Sequence, residues 1–196
     1  MSVAVAVRKG KDLVLASDTQ TNFGSFKVKS ENHRADKIRR VGSALLATTG
    51  WGLYENILDD LLSARAAPRL NSKQQIFSFF LALWKALHQR YPFVNDQSEG
   101  DHESPFGDMD ASFLVVNSSG IFYVARDLSV TEFDEYYAIG SGSDFSLGAL
   151  HALYETDSDA ATLARKAVEA AIAFSLHCGG EVRIEKKIVR PSRRRR

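Results

Sequence analysis

The chain has a single cysteine, Cys178, in 196 residues, so no intrachain disulfide can form. That suits a reducing cytoplasm. No apolar run approaches the ~20 residues that cross a bilayer as a helix. The opening Met-Ser-Val-Ala-Val-Ala-Val is apolar but short, and Arg8, Lys9 and Lys11 follow it rather than precede it, the reverse of a secretory signal. A strong net charge is missing too. The formal value is +1, so nothing global points to nucleic acid or to a membrane. These absences describe a cytoplasmic protein with no membrane partner. With 44% apolar residues and no shift in composition, residues 1–190 are expected to form one domain with a substantial core.

The little net charge there is lies unevenly. Residues 183–196 carry eight basic side chains against Glu185 alone, a balance of +7 that leaves −6 for the rest. Residues 95–110 hold six acidic groups among Gly, Pro, Ser and Asn without periodicity, and are expected to form an exposed loop. His102 within it suggests a metal, but the spacing fits neither an EF-hand nor a zincin, so a solvated loop is the better reading. Residues 191–196, Pro-Ser-Arg-Arg-Arg-Arg, read as a disordered basic tail.

Periodicity organises what remains. Val3 to Val7 and Leu13 to Ala16 flank Arg-Lys-Gly-Lys and predict two strands with a tight turn. Residues 19–31 read as a polar loop with a short hairpin. Residues 37–41 and 44–48 predict two more strands. Leu53, Ile57, Leu58, Leu61 and Leu62 recur at three- and four-residue steps, the mark of an amphipathic helix. A second helix is expected from an N-cap at Ser72 to about Tyr91, with the stripe Ile76, Phe79, Phe80, Leu83 and Leu87. A hairpin of residues 111–116 and 121–125 and a strand at 136–139 follow. Helices are then predicted at 143–155 and 158–177, the second capped by Ser158, and a last strand at 181–189. Strands in two groups, each followed by a helix pair, predict two sheets face to face with helices outside.

Four short motifs stand in order along this pattern. Residues 5–18 read Val-Ala-Val-Arg-Lys-Gly-Lys-Asp-Leu-Val-Leu-Ala-Ser-Asp; residues 36–40 read Asp-Lys-Ile-Arg-Arg; Ala47-Thr48-Thr49-Gly50 precedes a helix; and Ala138-Ile139-Gly140-Ser141-Gly142-Ser143 precedes another. Together they resemble the proteasome β-subunits and the bacterial peptidase HslV; the small bacterial homologues Anbu and BPH are candidates as well. The likeness covers nearly the whole chain and thins at 92–110 and after 190. It implies an α+β fold, a four-layer αββα sandwich of the N-terminal nucleophile hydrolases, assembled as a homo-oligomer of stacked hexameric or heptameric rings around a proteolytic chamber.

The same resemblance assigns the chemistry. An N-terminal nucleophile attacks with its side-chain oxygen and uses its own α-amine, of ordinary pKa about 7.7–8.0, as the base. Counting back from Asp18 places Ser2 where the family usually has threonine. Met1 must be removed first, and a small second residue is what methionine aminopeptidases accept. Lys37 would set a cation beside the hydroxyl and amine, Asp18 would hold that lysine, and Ser141 would hydrogen-bond near the amine. The backbone N–H of Gly50 would face the oxyanion. Thr21, Ala35, Arg39, Thr48 and Gly52 would line the substrate cleft. Read alone, Lys37 is a solvated lysine in a basic run, Asp18 a turn residue and Ser141 a helix-start serine; their joint match to the family reverses that.

One position departs from the family. Alignment on Gly179-Gly180 puts Ser175 where proteasome subunits have a supporting aspartate, and Cys178 where a serine often stands. HslV lacks that aspartate too. In HslV the matching carbonyls, here those of Ile172, Ser175 and Cys178, hold a monovalent cation. No cofactor is required for peptide hydrolysis. The implied substrates are unfolded polypeptides, with an ATPase unfoldase as partner. A ring-forming scaffold with little or no activity is the alternative. A nucleic-acid role through the arginine tail has no other support.

Overall fold

A computed structural model describes residues 2–28, 32–33, 36–63, 67–91 and 109–188. Most of the acidic segment, the tail 191–196 and Ala35 lie outside the described residues. Two antiparallel sheets form the centre. The first runs in the order β10 (Tyr136–Gly140), β1 (Val3–Lys9), β2 (Asp12–Ser17), β11 (Arg183–Ile188). The second runs β5 (Ile38–Val41), β6 (Ala44–Gly50), β7 (Ala111–Val116), β8 (Ile121–Val124), β9 (Val130–Phe133). A small hairpin, β3 (Asn22–Phe23) with β4 (Phe26–Lys27), stands apart. Helices α1 (Leu53–Ser63) and α2 (Lys73–Arg90) cover the second sheet; α3 (Ser143–Leu153) and α4 (Ala160–Phe174) cover the first.

This is the α+β four-layer αββα sandwich expected from the sequence, and its strands show why they read as continuous apolar runs. Both faces of each sheet are covered, so alternate side chains enter different cores. In β1, Val3, Val5 and Val7 pack with α3 and α4, while Ala4 and Ala6 turn between the sheets. In β6, Ala44 and Leu46 meet the α1–α2 layer, while Leu45 and Ala47 join Ala4, Ala6, Leu13 and Leu15 in the inter-sheet core. The β1–β2 register, Ala4 opposite Ser17, carries the chain straight into Asp18 beside the start of β1. That register positions the site.

Element boundaries differ at a few points. The fourth helix begins at Ala160, and its N-cap is Asp159 rather than Ser158: Asp159 Oδ1 accepts the Thr162 N–H at 2.7 Å. That bond holds the Asp159 carboxyl below its usual pKa. Both residues are good caps, and the aspartate also has the charge that a helix N-terminus favours. Ser72 caps α2 as expected, accepting from Gln75 N at 3.2 Å. Strand β9 has no counterpart in the sequence reading. No described helix is long and apolar enough to cross a membrane.

Candidate active site

Where β1 begins, the ends of strands from both sheets border a cleft of about 600 Å³ lined by Ser2, Gly50, Gly52 and Ser141 among others. Two glycines set its shape. Gly50 ends β6 at φ 130°, and a Cβ there would stand 2.2 Å from the Asp110 carbonyl oxygen. Gly140 ends β10 at φ 96°, and a Cβ there would stand 2.2 Å from the Ser2 carbonyl oxygen. Neither position accepts another residue without moving the cleft wall. Ser141 follows, and its hydroxyl donates to the Ser2 carbonyl at 3.3 Å.

Behind Ser2 lies a buried ion pair. Asp18 has no exposed surface, and Lys37 is 4% exposed. Lys37 Nζ donates to Asp18 Oδ1 at 2.6 Å and to the Gln20 carbonyl at 2.8 Å. The same Oδ1 accepts the Val3 N–H at 3.0 Å. Its partner Oδ2 accepts from Gln20 N at 3.3 Å and Gly179 N at 3.1 Å. Asp18 therefore joins the lysine to the peptide that follows Ser2, and ties both to the turn after α4. Among the described residues two of the three Lys37 N–H donors are engaged, by Asp18 Oδ1 and the Gln20 carbonyl.

Sequence reasoning did not list Gln20 or Asn22, which brace this arrangement. Gln20 Nε2 donates to Asn22 Oδ1 at 2.8 Å and to the Leu176 carbonyl at 3.2 Å, and Asn22 Nδ2 donates to the His177 carbonyl at 3.1 Å. No sequence motif marks them; only the packing of the 18–22 segment on the 176–179 turn gives them a role. Cys178 is buried in that turn. Burial first, then the negative charge of Asp18, pushes its thiol above the usual value, against opposing contributions from Ser175, Lys37 and Ser141.

The other expected residues are spread more widely. Gly52 lines the cleft; Thr21, Arg39 and Thr48 are not among its lining residues. The Thr21 hydroxyl is hydrogen-bonded to His33 Nε2 at 2.8 Å. Arg39 and Thr48 share the face of the second sheet that turns toward α1. Arg39 is clamped by Asp59 at 2.7 and 3.1 Å, with Glu55 at 3.6 Å. Burial works against its charge, but Asp59 and Glu55 outweigh it and raise its pKa. The Thr48 hydroxyl is buried without a hydrogen-bond partner. Ser175 does not replace a carboxylate: its hydroxyl accepts the His177 N–H at 3.3 Å within the turn. The described residues hold no cluster of three or more His, Cys, Asp or Glu suited to a metal.

The comparisons agree with this architecture. No family model matches the chain. Among solved structures, BPH from Thiobacillus denitrificans superposes with a TM-score of 0.87 at 33% identity, over 96% of this chain and 99% of that one. The same protein in complex with epoxomicin matches at 32% identity over 96% of this chain and 100% of that one, again with a TM-score of 0.87. The ATP-dependent protease subunit HslV of Caldicellulosiruptor saccharolyticus is 24% identical over 92% of this chain and 94% of its own length. A proteasome subunit beta from Nanoarchaeum equitans is 28% identical over 94% and 91%.

Proposed function

Because the chain belongs to the HslV/proteasome-type family of N-terminal nucleophile hydrolases, we propose that it is a peptidase subunit whose nucleophile is Ser2, freed by removal of Met1. The Ser2 hydroxyl attacks the substrate carbonyl carbon while the Ser2 α-amine takes its proton. The oxyanion forms toward the backbone N–H of Gly50. The intermediate collapses as the α-ammonium returns the proton to the leaving amine, which leaves an ester on Ser2. Water, activated by the same amine, attacks that ester and restores the hydroxyl. Lys37 lowers the cost of the developing alkoxide and disfavours protonation of the amine. Asp18 keeps the lysine charged and aimed, and Ser141 fixes the Ser2 carbonyl.

The observation that carries this reading is Asp18 Oδ1, which binds both Lys37 and the Val3 amide. A buried carboxylate–ammonium pair is costly to desolvate and adds little stability by itself. Its place one peptide from a cleft serine is what catalysis would require. Thr21, Ala35, Arg39, Thr48 and Gly52 would shape the pocket for the substrate side chain. Three carbonyls at the end of α4, those of Ile172, Ser175 and Cys178, suit a monovalent cation in donor chemistry. Ser175 O already accepts Cys178 N at 3.2 Å and keeps a second lone pair. Such a cation would stiffen the turn that carries Gly179.

The subunit would assemble into stacked rings in the cytoplasm. Unfolded polypeptides would be delivered to the chamber by an ATPase unfoldase. A second reading, a ring scaffold with little activity, draws on Ser175 standing where proteasome subunits have a supporting aspartate, with its hydroxyl engaged by the His177 N–H within the turn. Peptide hydrolysis decides between them. Wild type is expected to hydrolyse unstructured peptides, with kcat/KM rising as the α-amine deprotonates toward pH about 8, and Ser2→Ala to lose that hydrolysis. An inactive wild type supports the scaffold, and an unaffected Ser2→Ala places the chemistry elsewhere.

A further inference from the structure

Trp51 follows Gly50 directly and lines the same cleft as Ser2, yet 69% of its surface is exposed. Single exposed apolar side chains are ordinary on protein surfaces, but this ring is held. Its indole N–H donates to Asp110 Oδ2 at 3.0 Å, and its backbone N–H donates to the Asp110 carbonyl at 3.3 Å. Asp110 is anchored in turn. Its Oδ1 accepts from Arg126 Nη2 at 2.6 Å, and its N–H donates to the Tyr54 hydroxyl at 3.1 Å. Arg126 Nε donates to the Met109 carbonyl at 3.2 Å.

The polar edge of the indole is therefore satisfied by the protein, and its exposed area is apolar ring. A ring fixed before the ligand arrives offers contact area without an ordering cost. An aromatic or large aliphatic side chain is the chemistry that fits an indole face of this kind.

We infer that Trp51 is a specificity-determining residue: a platform for an aromatic or large aliphatic side chain of the polypeptide lying across the cleft, close to the bond that is cut. Asp110 is the positioning residue that sets the ring. This assignment rests on the peptidase reading above and adds a substrate class to it.

The test uses Met1-free protein and fluorogenic peptides in which one position at a time is varied on either side of the scissile bond. Wild type, Trp51→Ala and Trp51→Phe are compared. Wild type is expected to prefer Phe, Tyr or Leu over Gly, Asp or Lys by about tenfold in kcat/KM at one position. Trp51→Ala is expected to reduce that ratio to about threefold or less, through KM rather than kcat, and Trp51→Phe to keep most of it. Asp110→Ala is expected to raise KM for the preferred peptide in the same way. A ratio unmoved by Trp51→Ala, in protein that still hydrolyses peptides, overturns the assignment of Trp51 and leaves the Ser2 chemistry standing. Absence of hydrolysis by wild type, with no adduct on Ser2 from an epoxyketone, overturns the peptidase reading and this inference with it.

Discussion

Asp18 is fully buried, yet each of its carboxylate oxygens accepts two hydrogen bonds: Oδ1 from Lys37 Nζ and Val3 N, and Oδ2 from Gln20 N and Gly179 N. Such a group tolerates burial only while its partners remain. Lys37→Met would leave the carboxylate uncompensated, and we expect a loss of about 3–5 kcal/mol in urea unfolding together with loss of peptide hydrolysis. An inactive but equally stable Lys37→Met would contradict the buried-pair geometry. Cys178 gives a second test at this scale. Its thiol is raised in the folded protein, by burial first. Above the ordinary thiol value of about 8.5 the unfolded chain releases this proton before the folded one does. The unfolded state then binds fewer protons, so stability from this group is complete below that pH and is lost above it. Cys178→Ala is expected to flatten the fall of Tm as the pH rises above about 8.5; an unchanged slope would refute it. Asp18, Lys37 and Ser141 stood out as candidates in the sequence because each sits in a short motif, and Ser2 by counting back from Asp18. Gln20, Asn22 and Trp51 did not. Their roles depend on partners far along the chain, such as Leu176, His177 and Asp110.

At the scale of elements, the strand ends matter more than the strands. Gly50 and Gly140 finish β6 and β10 in backbone conformations that L side chains rarely adopt, each against a carbonyl of the neighbouring segment. Gly140→Ala would force its Cβ onto the Ser2 carbonyl and move the nucleophile. It is expected to lower kcat by about tenfold or more, since small displacements of reacting groups are costly, with about 1–3 kcal/mol of strain in stability. Ser72→Ala is the contrasting case. Loss of the α2 cap should cost about 1 kcal/mol and leave hydrolysis unchanged, because α2 lies on the far side of the second sheet from the inter-sheet core. Equal effects of the two substitutions on kcat would argue that the cleft is not rigidly seated. Periodicity located both helix pairs and most of the strands. It missed β9, a four-residue edge strand with Thr131 and Glu132 exposed, which has too little apolar pattern to stand out. It also chose the wrong one of two adjacent capping residues, Ser158 for Asp159, because both are chemically suited and only the observed helix start separates them.

At the scale of the whole molecule, the order of strands and helix pairs was enough to propose two covered sheets, and the motifs were enough to name the αββα sandwich. The three separate cores agree with that order: one under each helix layer and one between the sheets. What the sequence could not supply is the convergence of strand ends from both sheets on one cleft, since it depends on the register of β1 with β2 and of β6 with β7. Catalysis adds a covalent condition to this architecture, because the nitrogen of Ser2 becomes a base only when Met1 is gone. Intact and tandem mass spectrometry of the protein after treatment with a peptide epoxyketone, on wild type and Ser2→Ala, tests that condition most directly. The account predicts a wild-type chain that begins at Ser2 and carries one inhibitor on that residue, and no adduct on Ser2→Ala. A chain that keeps Met1 and stays unmodified, or an adduct that persists in Ser2→Ala, would contradict it.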